Sequence, residues 1–249
     1  MTYVIIKVMK TSFQKSAYFL LLPAFLTFFS CAARIDGSLS ANGSAALSVN
    51  ISLERGVTAL IQRMSAAGGQ PSNDTSNILD SSSISKSMSA SPGITSANFK
   101  NTAAAAIEGQ IRISKINEFL SASNNRGFIT FDQEKSGGKC VININRKDGP
   151  KILEHLSIEI SDYLNALMAP IATGEEMTKS EYLELVASFY NKAISDEIAS
   201  SRIRASVDFP GTITKASGGT FSGKKANFNI PLLDLLVLET PLVFEVTWN

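Results

Sequence analysis

Apolar residues recur at every second position over much of this chain, the spacing of strands that lay one face on a core. In Ser44–Leu53 the odd positions Ala45, Leu47, Val49, Ile51 and Leu53 are apolar, while Ser44, Ser48, Asn50 and Ser52 are polar. Just upstream, Ile35, Gly37 and Leu39 alternate with Asp36, Ser38 and Ser40, and Asn42-Gly43 separates the two runs. Asn-Gly between alternating segments predicts a hairpin, because both residues accept the positive φ of a tight turn. The pattern returns at Ile107, Gly109, Ile111 and Ile113, at Cys140, Ile142 and Ile144, and at Ile203, Ala205, Val207 and Phe209. Gly137-Gly138 turns the Cys140 strand back onto Phe128–Phe131. Such regular alternation sets one face against a core and the other against water or a polar cavity, the habit of antiparallel sheets.

Helical spacing interrupts the strands. Val57, Leu60, Ile61 and Met64 predict a helix over Arg55–Ala66. Asp148-Gly149-Pro150 starts another, and Leu153, Leu156, Ile160, Leu164 and Leu167 carry its stripe to about Ala169, although Leu156–Ile160 also alternates. Thr178 and Glu181 read as a capping box, followed by Tyr182, Leu185, Val186, Phe189, Ala193 and Ile194 on one helical side to about Ser200. From Gly68 to Ala97 the composition shifts to Ser, Asn and Gly; it predicts a plain Ser-rich loop, with a disordered or membrane-facing insertion, or one short helix near Ile78–Met88, as the alternatives. Near the C-terminus Phe209-Pro210-Gly211, Ser217-Gly218-Gly219-Thr220 and Ser222-Gly223-Lys224 mark turns before the apolar run Leu232–Leu238, and Leu242–Trp248 closes the chain. The expectation is an α+β domain, an antiparallel sheet with about three principal helices on one face.

The N-terminus changes the picture from fold to location. Ala17–Ser30 is an uncharged stretch preceded by Lys7, Lys10 and Lys15 and by no acid, the build of a secretory signal. It is shorter than the roughly 20 apolar residues that cross a bilayer core. Leu26-Thr27-Phe28-Phe29-Ser30-Cys31 resembles a bacterial lipobox, with Phe28 and Phe29 giving it the relaxed form of spirochaete lipoproteins. On that reading residues 1–30 are removed as a lipoprotein signal peptide, and Cys31 carries acyl chains such as palmitate that hold the mature domain, 31–249, to a membrane. The competing reading is a cleaved secretory signal, cut after Ala33, with Cys31 incidental. Met9-Lys10 begins a signal of ordinary length, so Met1 and Met9 both stand as starts. The expected location is the cell envelope, facing the periplasm or exterior. Ala32 and Ala33 lack the Asp that resembles an inner-membrane retention signal, which favours the outer membrane.

Charge and composition then exclude much chemistry. The 249 residues carry 23 basic and 22 acidic groups; without residues 1–30 the balance is 20 against 22, a net charge of −2 that offers nucleic acid no general attraction. With Cys31 acylated, Cys140 is the remaining cysteine, so no internal disulfide forms. Cys140 alternates with isoleucines and reads as a buried, inert thiol. The single histidine, His155, has no Gly-x-Ser-x-Gly elbow to serve and reads as a surface or interfacial residue. Glu175, Glu176, Glu181, Glu184, Asp196 and Glu197 read as solvated helix faces beside Lys179, Lys192 and Arg202. Asn42, Asn50 and Asn73 head glycosylation sequons that have no role in a bacterial lipoprotein. No metal spacing, phosphate loop or dinucleotide fingerprint occurs, so the expectation is a protein that is not an enzyme and takes no cofactor or metal.

Two end segments carry a resemblance. CAARIDGSLSANGSAALSVNISLE from Cys31 and FPGTITKASGGTFSGKKANFNIPLLDLL from Phe209 resemble the LppM-domain family of bacterial lipoproteins. The resemblance implies a helix-grip-like fold, a curved antiparallel sheet around helices with an apolar cavity between them. The long helical middle, Lys151–Ser200, departs from a short family domain, and the resemblance assigns no binding residue. Two functions stay open. One is a membrane-anchored module binding a lipid or other hydrophobic ligand, with Phe99, Phe119, Tyr163, Tyr182, Phe189, Phe228 and Trp248 as candidate lining. The other is a structural or interaction lipoprotein, an envelope scaffold or surface antigen with a solid core. The packing between helices and sheet separates them.

Overall fold

Strand alternation and turn chemistry take effect in the computed structural model, which describes residues 31–67, 77–121, 128–134, 136–149 and 158–249. The apolar run before Cys31, part of the Ser-rich segment, Pro150 and His155 lie outside the described residues. Among those described, the chain forms β1 (Cys31–Leu39), β2 (Ala45–Ser52), α1 (Arg55–Ala67), α2 (Ser81–Ser89), β3 (Ile94–Ala103), β4 (Ala106–Ile113) and α3 (Ile116–Ser121). The middle contributes β5 (Ile129–Glu134), β6 (Gly137–Ile144), a 3-10 turn at Arg146–Asp148, α4 (Ile158–Ala166), α5 (Pro170–Thr173), α6 (Lys179–Phe189) and α7 (Lys192–Ser200). The last part contributes β7 (Arg202–Asp208), β8 (Ile213–Ser217), β9 (Thr220–Ser222), β10 (Lys225–Pro231), α8 (Leu232–Val237) and β11 (Leu242–Trp248).

The class is α+β with mostly antiparallel pairing. The strands divide into two sheets: seven in the order β3-β4-β2-β1-β7-β10-β9, and four in the order β5-β6-β11-β8. The Asn42-Gly43 hairpin forms as expected, with Leu39 opposite Ala45, Ala33 opposite Ile51, and Gly43 at φ 79°. The free edge of β1 is taken by β7, in parallel, with Ile35 opposite Ala205. A parallel partner needs a long crossover, and the chain supplies it by running through both hairpins and the helical middle before β7.

Three local outcomes differ from the sequence expectations. The segment from Thr178 to Ser200 is two helices, because the backbone turns extended at Asn191 (φ −177°, ψ 167°), whose side chain caps α7 by accepting the Ile194 N–H at 3.0 Å. The short-helix alternative near Ile78–Met88 is realised as α2, capped by Asp80, whose carboxylate accepts the Ser82 and Ser83 N–H groups. The Ser-rich stretch also ends early, since β3 begins at Ile94; a register shift between Ile94 and Ser96 breaks its alternation.

Three cores hold these layers. The first gathers Tyr182, Val186, Ile194, Ile198, Leu236 and Val237 from the helices. The second gathers Phe131, Phe209, Ala226, Val246 and Trp248 around the four-stranded sheet, and the third Ala45, Ala97, Ile111 and Ile113 at one side of the seven-stranded sheet.

Candidate functional site

The two faces of the seven-stranded sheet differ in kind. One is polar and open: Arg34 Nε meets Asp36 at 2.9 Å, Lys100 meets Glu108 at 2.6 Å, and Ser206 donates to Asn227 Oδ1 at 2.9 Å. The other is apolar, and register arranges it in rows. Ile230, Ile203, Ala33, Ile51 and Ile107 form one row across β10, β7, β1, β2 and β4; Phe228, Ala205, Ile35, Val49 and Gly109 form the next. The ends of this face feed the second and third cores. At its centre Ala33, Ile35, Ile51, Ile203, Ala205 and Ile230 are half-buried and stand outside the three cores described.

Glycines keep this floor flat. A Cβ at Gly37 would meet Leu47 Cδ2 at 2.8 Å, and one at Gly109 would collide with the Phe99 ring. Leu47 and Phe99 therefore lie across the strands beside them instead of standing up from the sheet. The result is an apolar surface of small and branched side chains with no acid, base or nucleophile among the described residues.

The seven aromatic candidates do not converge on this floor. Tyr182 is fully buried in the first core, its hydroxyl donating to the Leu167 carbonyl at 3.3 Å; burial and the nearby Tyr190 push its ionisation up. Trp248 is buried against Phe131 and Phe209, at centroid distances of 5.8 and 5.1 Å. Phe119 packs at the second and third cores, and Tyr163 donates to the Ile78 carbonyl at 3.3 Å. Phe189 is 66% exposed. Phe99 and Phe228 do border the floor, at its two sides, and Phe228 meets Phe244 edge to face at 5.4 Å. The floor itself is aliphatic, and alternation alone could mark its face but not its exposure.

Elsewhere the charged candidates sit as solvated faces, with one exception. Lys192 holds Asp196 at 2.7 Å in the open, and Glu175, Glu176, Glu181 and Glu184 are exposed. Glu181 completes the expected capping box; the Thr178 N–H, then its hydroxyl, hold the carboxyl below its ordinary value. Glu197 is different. It is half-buried and accepts the N–H groups of Gly56 at 3.0 Å and Val57 at 3.2 Å, capping α1 from α7. A depression of about 760 Å³ beside the N-terminus of α6 is lined by Arg146, Lys147, Glu176, Met177, Glu181 and Glu239. Glu239 already accepts the Lys179 N–H at 3.0 Å there, so this helix end is served by the protein's own carboxylate. Cys140 is half-buried on β6; burial, then the charge of Asp132, push its thiol up to about 11.

No protein-family model and no curated protein matches the chain. Among solved structures it is similar to the NMR structure of the folded domain of the Mycobacterium tuberculosis LppM protein, at 8% identity and a TM-score of 0.37, covering 90% of this chain and 93% of that one. No described helix is long and apolar enough to cross a membrane.

Proposed function

We propose that the mature protein is a lipid-anchored binding module of the cell envelope, held by acyl chains on Cys31 and facing the periplasm or exterior. Its ligand is a hydrophobic molecule, an acyl chain above all, lying on the apolar face of the seven-stranded sheet. The observation that carries this reading is the half-buried patch of Ala33, Ile35, Ile51, Ile203, Ala205 and Ile230 at the centre of that face. A fully buried methylene contributes roughly 0.8 kcal/mol and one laid on an open face only part of that, so affinity would grow with chain length without any specific polar contact. The module needs no cofactor or metal, and the raised thiol of Cys140 suits a structural residue.

The test is native mass spectrometry of the protein purified without denaturant from a lipid-containing bacterial host, with and without solvent extraction. A discrete lipid-mass adduct that extraction removes, and that Ala205→Trp abolishes by filling the floor, is the expected result. The scaffold reading draws support from Tyr182 and Trp248, the large aromatics packed into filled cores. It predicts that the deacylated chain mass stays clean even after incubation with envelope lipids, and that outcome overturns the binding module.

A further inference from the structure

Cys31 is itself the first residue of β1, a central strand, so no spacer separates the proposed acyl anchor from the folded sheet. Ala33, two residues on, is already paired with Ile51 on one side and Ile203 on the other. Two residues span at most about 7 Å, so whatever holds Cys31 also holds this end of the sheet. Everything level with it meets the same surface.

Level with it stand Arg202, which pairs with Cys31 on β7, and, across β2, an uncharged loop. Ser52, at the end of β2, pairs with Ala106, and Ala103–Ala106 forms the tip between β3 and β4. The tip is fastened at this height, since Leu53 donates to the Ala105 carbonyl at 3.0 Å and Ile78 to the Ala104 carbonyl at 2.8 Å. Ala103 and Ala104 are exposed. β4 lies two strand spacings from β1, about 10 Å, well within the footprint of one domain on a bilayer. Half-buried Glu54 and exposed Arg55, at the start of α1, border the same shallow depression as the tip. The opposite end of the sheet is built otherwise: exposed Lys115 pairs with Glu118 at 2.7 Å, and exposed Lys224 reaches the Pro210 carbonyl.

We infer that the end of the seven-stranded sheet at which β1 begins rests on the bilayer that holds Cys31, with the Ala103–Ala106 tip against lipid. This rests on the anchor proposed above. The row of the apolar floor nearest that end is Ile230, Ile203, Ala33, Ile51 and Ile107, the last of them fully buried. On this orientation that row is the part of the floor nearest the bilayer.

The full chain, expressed in a bacterium that processes lipoproteins, is reconstituted into phosphatidylcholine vesicles with brominated acyl chains, and Trp emission is read for Ala104→Trp and Ala41→Trp. Ala41 is exposed in the β1–β2 turn at the far end, and buried Trp248 supplies a constant background in both. The expected result is loss of most of the added emission at position 104 and none at position 41. Intact mass separates the two ways of failing. A chain that carries acyl mass yet shows no quenching at 104, or equal quenching at both positions, overturns the orientation alone. A chain without acyl mass overturns the anchor and the orientation together.

Discussion

Glu197→Ala tests whether the helical layer is tied to α1 by one buried-side carboxylate. In the native protein Glu197 accepts two N–H groups at the start of α1, at 3.0 and 3.2 Å, from a position 141 residues away from Gly56. Hydrogen bonds to a charged group contribute about 1.5–3 kcal/mol, and a carboxylate at a helix N-terminus adds about 0.3–1 kcal/mol. Glu197 is half-buried, and partial screening by solvent brings the expected loss to about 2 kcal/mol. For a domain of this size that lowers Tm by about 4–8 °C. Glu197→Gln keeps an acceptor but not the charge and loses about half as much. Asp196→Ala, one residue away, removes an exposed pair with Lys192 and costs under about 0.5 kcal/mol. Urea unfolding followed by circular dichroism measures all three. A Cβ at Gly56 would meet Glu197 Oε2 at 2.6 Å, so Gly56→Ala should displace the same carboxylate, and the double variant should be less destabilised than the sum of the singles. A Glu197→Ala protein as stable as Asp196→Ala, or full additivity with Gly56→Ala, refutes the cap.

Gly109→Ala drives a methyl into the Phe99 ring and should cost about 1–3 kcal/mol in urea unfolding; an unchanged midpoint would show that Phe99 does not lie on the sheet. Trp248→Ala empties the space between Phe131 and Phe209 and should cost about 3–5 kcal/mol by the same measurement. Cys140 should resist maleimide at pH 8 in the native protein and react once unfolded, because burial raises its thiol from 9.0 to about 11. The fold favours the neutral thiol, so its contribution to stability is complete below pH 9 and is lost as pH rises toward 11; rapid native labelling at pH 8 would contradict this.

Much of this architecture is legible in the sequence where the physics is local. β2, β4, β6 and β7 follow from alternation because each lays one face on apolar neighbours, and Thr178 with Glu181 forms the capping box that their spacing predicts. β3 escapes the pattern because its register shift moves Ala97, not Ser96, onto the buried face. The break at Asn191 escapes because the apolar stripe runs across it, although that residue is a strong N-cap and offers the missing signal. Glu197 looks like any charge on a helix face until α1 is brought against it. The division into two sheets and the parallel β1–β7 pair depend on which strands meet after a long crossover, and no spacing within either strand records that.

The floor shows the same limit and gives the reason to read it as a site. Alternation assigns Ile35 and Ile203 to an apolar face, but a strand does not state how much will cover that face. A centre meant to be sealed calls for large side chains standing toward the covering layer, since interiors pack as densely as organic crystals. This sheet mixes small residues with isoleucines at its middle. β1 presents Ala33, Ile35 and Gly37, β7 presents Ala205 between Ile203 and Val207, and the bulk of Leu47 and Phe99 is laid flat over Gly37 and Gly109. Tyr182 and Trp248, which have the volume to fill such a space, are committed to other cores. Leaving those aliphatic residues only half-buried costs stability, and on the proposed reading a hydrophobic ligand on the floor would recover it. If Ala205→Trp instead raises stability while the wild-type protein carries no lipid, the floor is a packing defect and the scaffold reading takes its place.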